Sequence, residues 1–243
     1  TGTDFCDWVI LGGIVTDDEG SISTPPDIRH FVLPRGDYEI VEGSWNVMGL
    51  SGTGSKNIRI KDQFIPDYRV IEAPKMIEGV YYGERREGQA LYGMSFGCTF
   101  ATAIASGTLG IARGALDAYR EYMQKRVSAA GVVAKVDPFQ QAALAEAEAD
   151  WNSAVTLLEK KSDDFYQQAQ RGEPLTTAQR LEFRRDQVRA VQRVLESVDK
   201  VYSLAGSAAV WTDKPLERYW RDLRTGGSHI CNIYDTAYTS WAN

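Results

Sequence analysis

The stretch Arg218 to His229, RYWRDLRTGGSH, places a histidine directly after two glycines and a serine. Histidine is the only side chain whose unperturbed pKa lets it exchange protons near neutral pH, and glycine allows close approach of backbone to a ligand. The chain has only two histidines in 243 residues, so one at this position stands out as a candidate acid–base group. A helix cap or a satisfied core histidine would occupy the same kind of position, and the local sequence leaves both readings open. His30, inside the run Ile28 to Leu33, reads as structural or exposed. Trp45, Trp211 and Trp220 read as core-packing residues.

Elements able to hold such a group follow from composition and periodicity. With 43% hydrophobic and 25% charged residues the chain can bury one large core or two small ones. A net charge of -6 and a pI near 5.1 argue against a nucleic-acid partner, which needs a clustered basic face. Arg180, Arg184, Arg185, Arg189 and Arg193 cluster, but Glu182 and Asp186 interrupt them, so they read as a solvated or subunit-facing helix flank. Cys6, Cys98 and Cys231 are odd in number and widely spaced, which suggests neither a disulfide framework nor a metal site. No run of eighteen apolar residues and no secretory leader is present. The expectation is a cytoplasmic protein without a membrane partner. The opening Thr1-Gly2-Thr3-Asp4 reads like the middle of a domain, as in a fragment or a processed chain.

The segments Trp8–Leu11, Ile28–Leu33, Tyr38–Val41 and Ile58–Ile60 are short, rich in β-branched residues and separated by turn signals. They predict an antiparallel β domain, a small barrel or sandwich, over residues 1–78. From about Gly93 the period becomes helical. Helices are expected over Phe96–Arg126, Pro138–Gln170, Thr177–Ala205 and Pro215–Thr225, with Thr176 or Thr177 as an N-cap and Gly206 as a stop. Long helices joined by short loops predict an antiparallel four-helix bundle over residues 79–243, giving an α+β fold with the β domain first.

Several of these spans resemble a known family. Residues 49–69, GLSGTGSKNIRIKDQFIPDYR, are similar to the strand-and-turn signature of the acyl-CoA dehydrogenase fold. TGTDFCDWVILGG, the GTGS turn, KRVSAA, the DPF that opens the second long helix, RRDQVRA and RDLRTGGSH together resemble its type-2 branch. That branch contains the oxygenase components of two-component, flavin-dependent aromatic hydroxylases, which act on hydroxyphenylacetate and on phenolic seco-steroids. The motifs spread over nearly the whole chain; the family's N-terminal helical domain has no counterpart in it.

The resemblance implies an oxidoreductase that takes reduced FMN or FAD, FMN slightly favoured, from a separate reductase. It would form a flavin C4a-hydroperoxide with molecular oxygen and hydroxylate a small phenolic or aromatic substrate. His229 matches the family histidine over the flavin and would adjust protonation of peroxide and phenol. Thr1, before Gly2, matches a hydroxyl that meets the flavin N5 and C4a edge. Arg126 and Gly206-Ser207 match phosphate contacts, which in the family can come from different subunits of a homotetramer. The turn Gly52-Thr53-Gly54-Ser55 carries a weaker cofactor signal. Substrate-pocket residues would come from the loop Ala73 to Gln89, with Tyr81, Tyr82 and Tyr92, and from the missing domain. Two other readings stay open: an acyl-CoA dehydrogenase, which needs a glutamate base with no clear counterpart, and a noncatalytic assembly fragment.

Overall fold

The computed structural model describes residues 1–78, 88–128 and 131–242, and the chain forms two compact units. The first comprises Thr1–Val47 and Ser51–Phe96, the second Met48–Leu50 and Gly97–Asn243.

In the first unit, β1 (Trp8–Ile14) pairs antiparallel with β2 (Ile28–Pro34), from Trp8 opposite Pro34 to Ile14 opposite Ile28. Strands β3 (Glu39–Ile40) and β4 (Ile58–Arg59) form a separate antiparallel pair. A fifth strand, β5 (Val70–Glu72), adds to the free side of β2. It was not expected, because three residues carry no usable alternation and only pairing to β2 makes them a strand. Side chains on a strand alternate between faces, so Val9 and Leu11 turn inward while Trp8 and Ile10 turn out. The inward set meets Leu33, Phe31, Tyr38, Ile40 and Ile58, so both sheets share one core. The short helix α1 (Ala73–Glu78) follows β5.

The second unit holds α2 (Phe96–Lys125), α3 (Pro138–Gln170), α4 (Thr177–Ala205), α5 (Pro215–Gly227) and α6 (Tyr234–Ala242). Local chemistry sets the starts of α3 and α4. Asp137 accepts hydrogen bonds from the Phe139 and Gln140 N–H groups ahead of Pro138. Thr176 forms a reciprocal capping box with Gln179.

Cross-contacts fix the helix directions. On α2 and α3, the Trp151 Nε1 donates to the Leu109 carbonyl at 2.8 Å, Arg113 pairs with Glu148 and Tyr119 bonds Gln140, which is an antiparallel register. On α3 and α4, Lys161 pairs with Glu182, Asp150 with Arg193 and Glu146 with Lys200. On α4 and α5, Trp220 stacks on Tyr202 at 4.7 Å and Arg224 pairs with Asp199. The four helices therefore run up, down, up and down, as expected of the bundle. Its seam is alanine-rich on α2, with Ala101, Ala105, Ala112 and Ala115 buried, and small side chains let the helix axes approach closely.

Two local expectations are corrected, and one further helix was not expected. The helix ending at about Thr225 continues through Gly226-Gly227, because those glycines admit neighbouring helices. A Cβ on Gly227 would lie 2.5 Å from Leu195 Cδ1, and one on Gly226 would lie 3.2 Å from Thr108 Oγ1. Trp211 is 65% exposed rather than part of the core, whereas Trp220 does pack. The sixth helix, α6, has weak intrinsic helix formers and buries only Ala237. It is held against α4, where Arg185 lies 4.3 Å from the Trp241 ring.

Candidate functional site

His229 begins the short turn that follows α5, half-buried, with the Phe100 ring of α2 at 6.2 Å and tilted 58°. Its Nδ1 accepts the Cys231 backbone N–H at 3.1 Å. A nitrogen that accepts a hydrogen bond carries no proton, so the neutral ring bears its proton on Nε2. Burial first, and the Arg184 guanidinium second, hold the His229 pKa below the ordinary histidine value. The group is thus a neutral donor near pH 7.

This depression has a stability consequence. The unfolded chain, with its higher histidine pKa, takes up the extra proton first as the medium acidifies. The stability His229 contributes is full above the ordinary value and is lost as pH falls through it toward the lowered folded value. Unfolding measured between about pH 7.5 and 5 should lose stability more steeply in the native chain than in His229→Asn. Equal slopes would contradict the assignment.

Arg126 lies just past the end of α2. Its Nε donates to the Tyr122 hydroxyl at 3.1 Å and its Nη1 to the Val127 carbonyl at 2.8 Å. The Tyr122 hydroxyl in turn donates to the Ala205 carbonyl at 2.6 Å, the residue before Gly206. One hydroxyl therefore joins the two stretches expected to meet phosphate. Arg126 and Tyr122 border a cavity of about 430 Å³ lined also by Lys125, Ala209, Lys214 and Leu216 among others, with Glu121 as its one carboxylate. The N-terminus of α5 opens there, and its N-cap, Lys214, offers no side-chain acceptor to the first N–H groups. Three cations against one anion, beside a helix N-terminus, suit a phosphate-bearing group.

Gly206 has φ 67° and ψ -158°, a backbone region essentially confined to glycine. Its N–H already donates to Ser203 O, while Ser207 is exposed.

Thr1 belongs to the first unit. Its hydroxyl lies 2.7 Å from that of Ser55, and the Gly2 N–H donates to Thr53 O at 3.2 Å. The Thr1-Gly2 edge and the GTGS turn, singled out separately, are therefore neighbours. Thr3, 4% exposed, buries a hydroxyl that finds no hydrogen-bond partner among the described residues. The segment Gly49-Leu50 of the second unit docks on α5: the Leu50 N–H donates to Asp222 at 2.6 Å and Arg221 bonds the Met48 carbonyl.

The structure links Arg126 through Tyr122 to Ala205, the residue before Gly206-Ser207, but not to His229. The cavity adjoins the start of α5 and His229 its end, about 20 Å apart at 1.5 Å per residue. Tyr81 and Tyr82 lie outside the described residues, as does most of their loop. His30 sits on β2 opposite Ile71, half-buried and facing Gly12. Glu217, the buried carboxylate of α5, is engaged through both oxygens by Arg221. Among the described residues no cluster of His, Cys, Asp or Glu could hold a metal ion, and no helix is long and apolar enough to cross a membrane. Among the described residues Cys6, Cys98 and Cys231 form no disulfide.

Two residues escaped the sequence reading. Tyr122 has no motif. Arg184 was left among the surface arginines although it shares the spacing of Leu181, Val188, Val191 and Leu195, the buried face of α4.

Residues 102–233 match the family model described as acyl-CoA dehydrogenase, C-terminal domain. The chain is 38% identical over 238 residues to a pigment production hydroxylase of Rhodococcus erythropolis, covering 98% of this chain and 61% of that protein. It is 38% identical over 243 residues to the oxygenase subunit HsaA of a flavin-dependent monooxygenase from Rhodococcus jostii, covering 99% and 62%. The crystal structure of 3-HSA hydroxylase from Rhodococcus sp. RHA1 superimposes with a TM-score of 0.88 at 38% identity, covering 99% of this chain and 61% of that one. The chain thus spans about three fifths of the length of the curated relatives it matches.

Proposed function

The chain belongs to the acyl-CoA dehydrogenase C-terminal domain family, and from that premise we propose that it serves the oxygenase component of a two-component flavin-dependent monooxygenase hydroxylating a phenolic or aromatic substrate. A separate reductase supplies the reduced flavin, FMN or FAD. When bound, reduced flavin supplies the activation of molecular oxygen and its transfer to the ring.

The observation that carries this reading is the cationic cavity beside Arg126, which Tyr122 ties to Ala205 at the start of the Gly206-Ser207 turn. Arg126 and Lys214 hold the cofactor phosphate there by charge-assisted hydrogen bonds, with Ser207 at the rim. Thr1 presents a hydroxyl for the ring edge, fixed by Ser55. His229 acts through Nε2–H as a neutral donor to a substrate oxygen that develops negative charge. Because Nδ1 is committed to Cys231, proton uptake by the ring requires that bond to break, so donation is its resting role.

The distance along α5 between the cavity and His229 favours a shared site, in which one copy's cavity serves another copy's histidine. A homotetramer provides that arrangement. The similar proteins include a pigment production hydroxylase and a 3-HSA hydroxylase, and a phenol fits a neutral donor placed beside an aromatic ring such as Phe100. The test is oxygen-dependent conversion of a phenol by the protein loaded with reduced flavin.

A further inference from the structure

The turn that carries His229 is gripped by side chains from two helices. From α4, the Arg184 Nη2 donates to the Cys231 carbonyl at 3.0 Å, and the same guanidinium bonds Gln187 Oε1. Gln187, fully buried, passes its amide N–H to Asn232 Oδ1 at 2.8 Å. Asn232, also fully buried, donates through Nδ2 to Thr108 Oγ1 on α2 at 3.2 Å and to the Gly226 carbonyl at 2.9 Å. Gln192 donates to the Asn232 carbonyl at 2.8 Å, and the Asn232 N–H closes the turn on His229 O at 2.7 Å.

A buried network of this kind is costly unless every member is satisfied, and here every polar atom of Asn232 is used. Among the described residues no carboxylate neutralises Arg184. A half-buried guanidinium without a carboxylate partner needs another reason to be there. We propose that Arg184, Gln187, Gln192 and Asn232 are positioning residues that lock the tautomer and aim of His229, keeping Nδ1 as an acceptor and Nε2 as the proton-bearing atom. The proposal rests on the reading of His229 as the functional donor. The imidazole senses Arg184 on α4, which itself senses Cys98 on α2 and Cys231 in the turn; Tyr234 and Asp235 open α6 just beyond the turn, and Phe100 adds an uncharged ring. Burial raises the Cys231 pKa, so that thiol stays neutral and leaves Arg184 as the charge the imidazole senses.

The test uses the chain labelled with 15N-histidine, in which only His30 and His229 report. Nitrogen shifts through a pH titration give tautomer and protonation midpoint without flavin or substrate. The native chain should show His229 as the Nε2–H tautomer with a midpoint below that of a free histidine. In Arg184→Met the preference for that tautomer should fall about fivefold, the factor one hydrogen bond supplies. Its midpoint should rise, while His30 does not move. If Arg184→Met does not fold, Gln192→Met loosens the same turn while keeping the charge, and should weaken the tautomer preference with a smaller change in midpoint. A native Nδ1–H tautomer, or unchanged His229 signals in a folded variant, would overturn the clamp. Neither result would touch the monooxygenase reading, whose failure would appear as absent hydroxylation with the His229 signals as expected.

Discussion

Replacing His229 with alanine is expected to slow hydroxylation by on the order of a hundredfold or more, with affinity for reduced flavin essentially unchanged. A positioned proton donor contributes typically 10²–10⁴-fold, and the cationic cavity lies at the other end of α5. Alanine also removes the Nδ1 acceptor used by the Cys231 N–H, so a slow variant could simply have a loosened turn. His229→Asn separates the two effects, since its side-chain oxygen can still accept that N–H while the Nε2 donor is gone. Both variants should be slow in a single turnover with pre-reduced flavin, and both should bind flavin normally. A native single-turnover rate in either would remove His229 from the chemistry.

Replacing Arg126 with alanine should do the converse. A charge-assisted hydrogen bond is worth about 1.5–3 kcal/mol, so reduced-flavin affinity should fall roughly 10- to 100-fold. The deficit should shrink as salt rises, because screening weakens the native contact. Folding should be little affected: Tyr122 keeps its bond to the Ala205 carbonyl, and Arg126 makes no salt bridge with any described residue. Equilibrium titration under anaerobic conditions measures the effect. Equal affinities at low salt would show that the cavity is not the phosphate site.

The contrast between these variants reflects how the fold separates tasks. Side-chain patterns with local causes were readable from the sequence. The Pro138 start, the Thr176 cap and the Gly206 stop each depend on neighbours within four residues, and α3 and α4 run as expected. The β-branched runs likewise gave β1 to β4, with the sheet face decided by alternation at Val9 and Leu11.

Features with distant causes were not readable in the same way. The glycines before His229 suggested room for a ligand, but their space is filled by Thr108 and Leu195, 118 and 32 residues away in sequence. Tyr122 gains its meaning only when the end of α2 reaches the end of α4. Asn232, unremarkable in sequence, becomes the hub of the His229 turn because α2 and α4 flank it. Arg184 was within reach, since its spacing matches the buried face of α4, yet the neighbouring charges Glu182 and Asp186 made the whole run look solvated. The cofactor-edge role of Thr1 came from resemblance to the type-2 branch rather than from any periodicity.

Under the proposed function this protein uses reduced flavin and oxygen to hydroxylate an aromatic ring. The direct measurement is a single turnover in which the protein, loaded with one equivalent of reduced FMN or FAD and a phenol, is mixed with oxygenated buffer and the product is quantified. The account predicts hydroxylated phenol in amounts approaching the flavin supplied, with its yield lowered in His229→Asn. Flavin reoxidation at the rate of free reduced flavin, with no hydroxylated product from any of a panel of phenols, would contradict it.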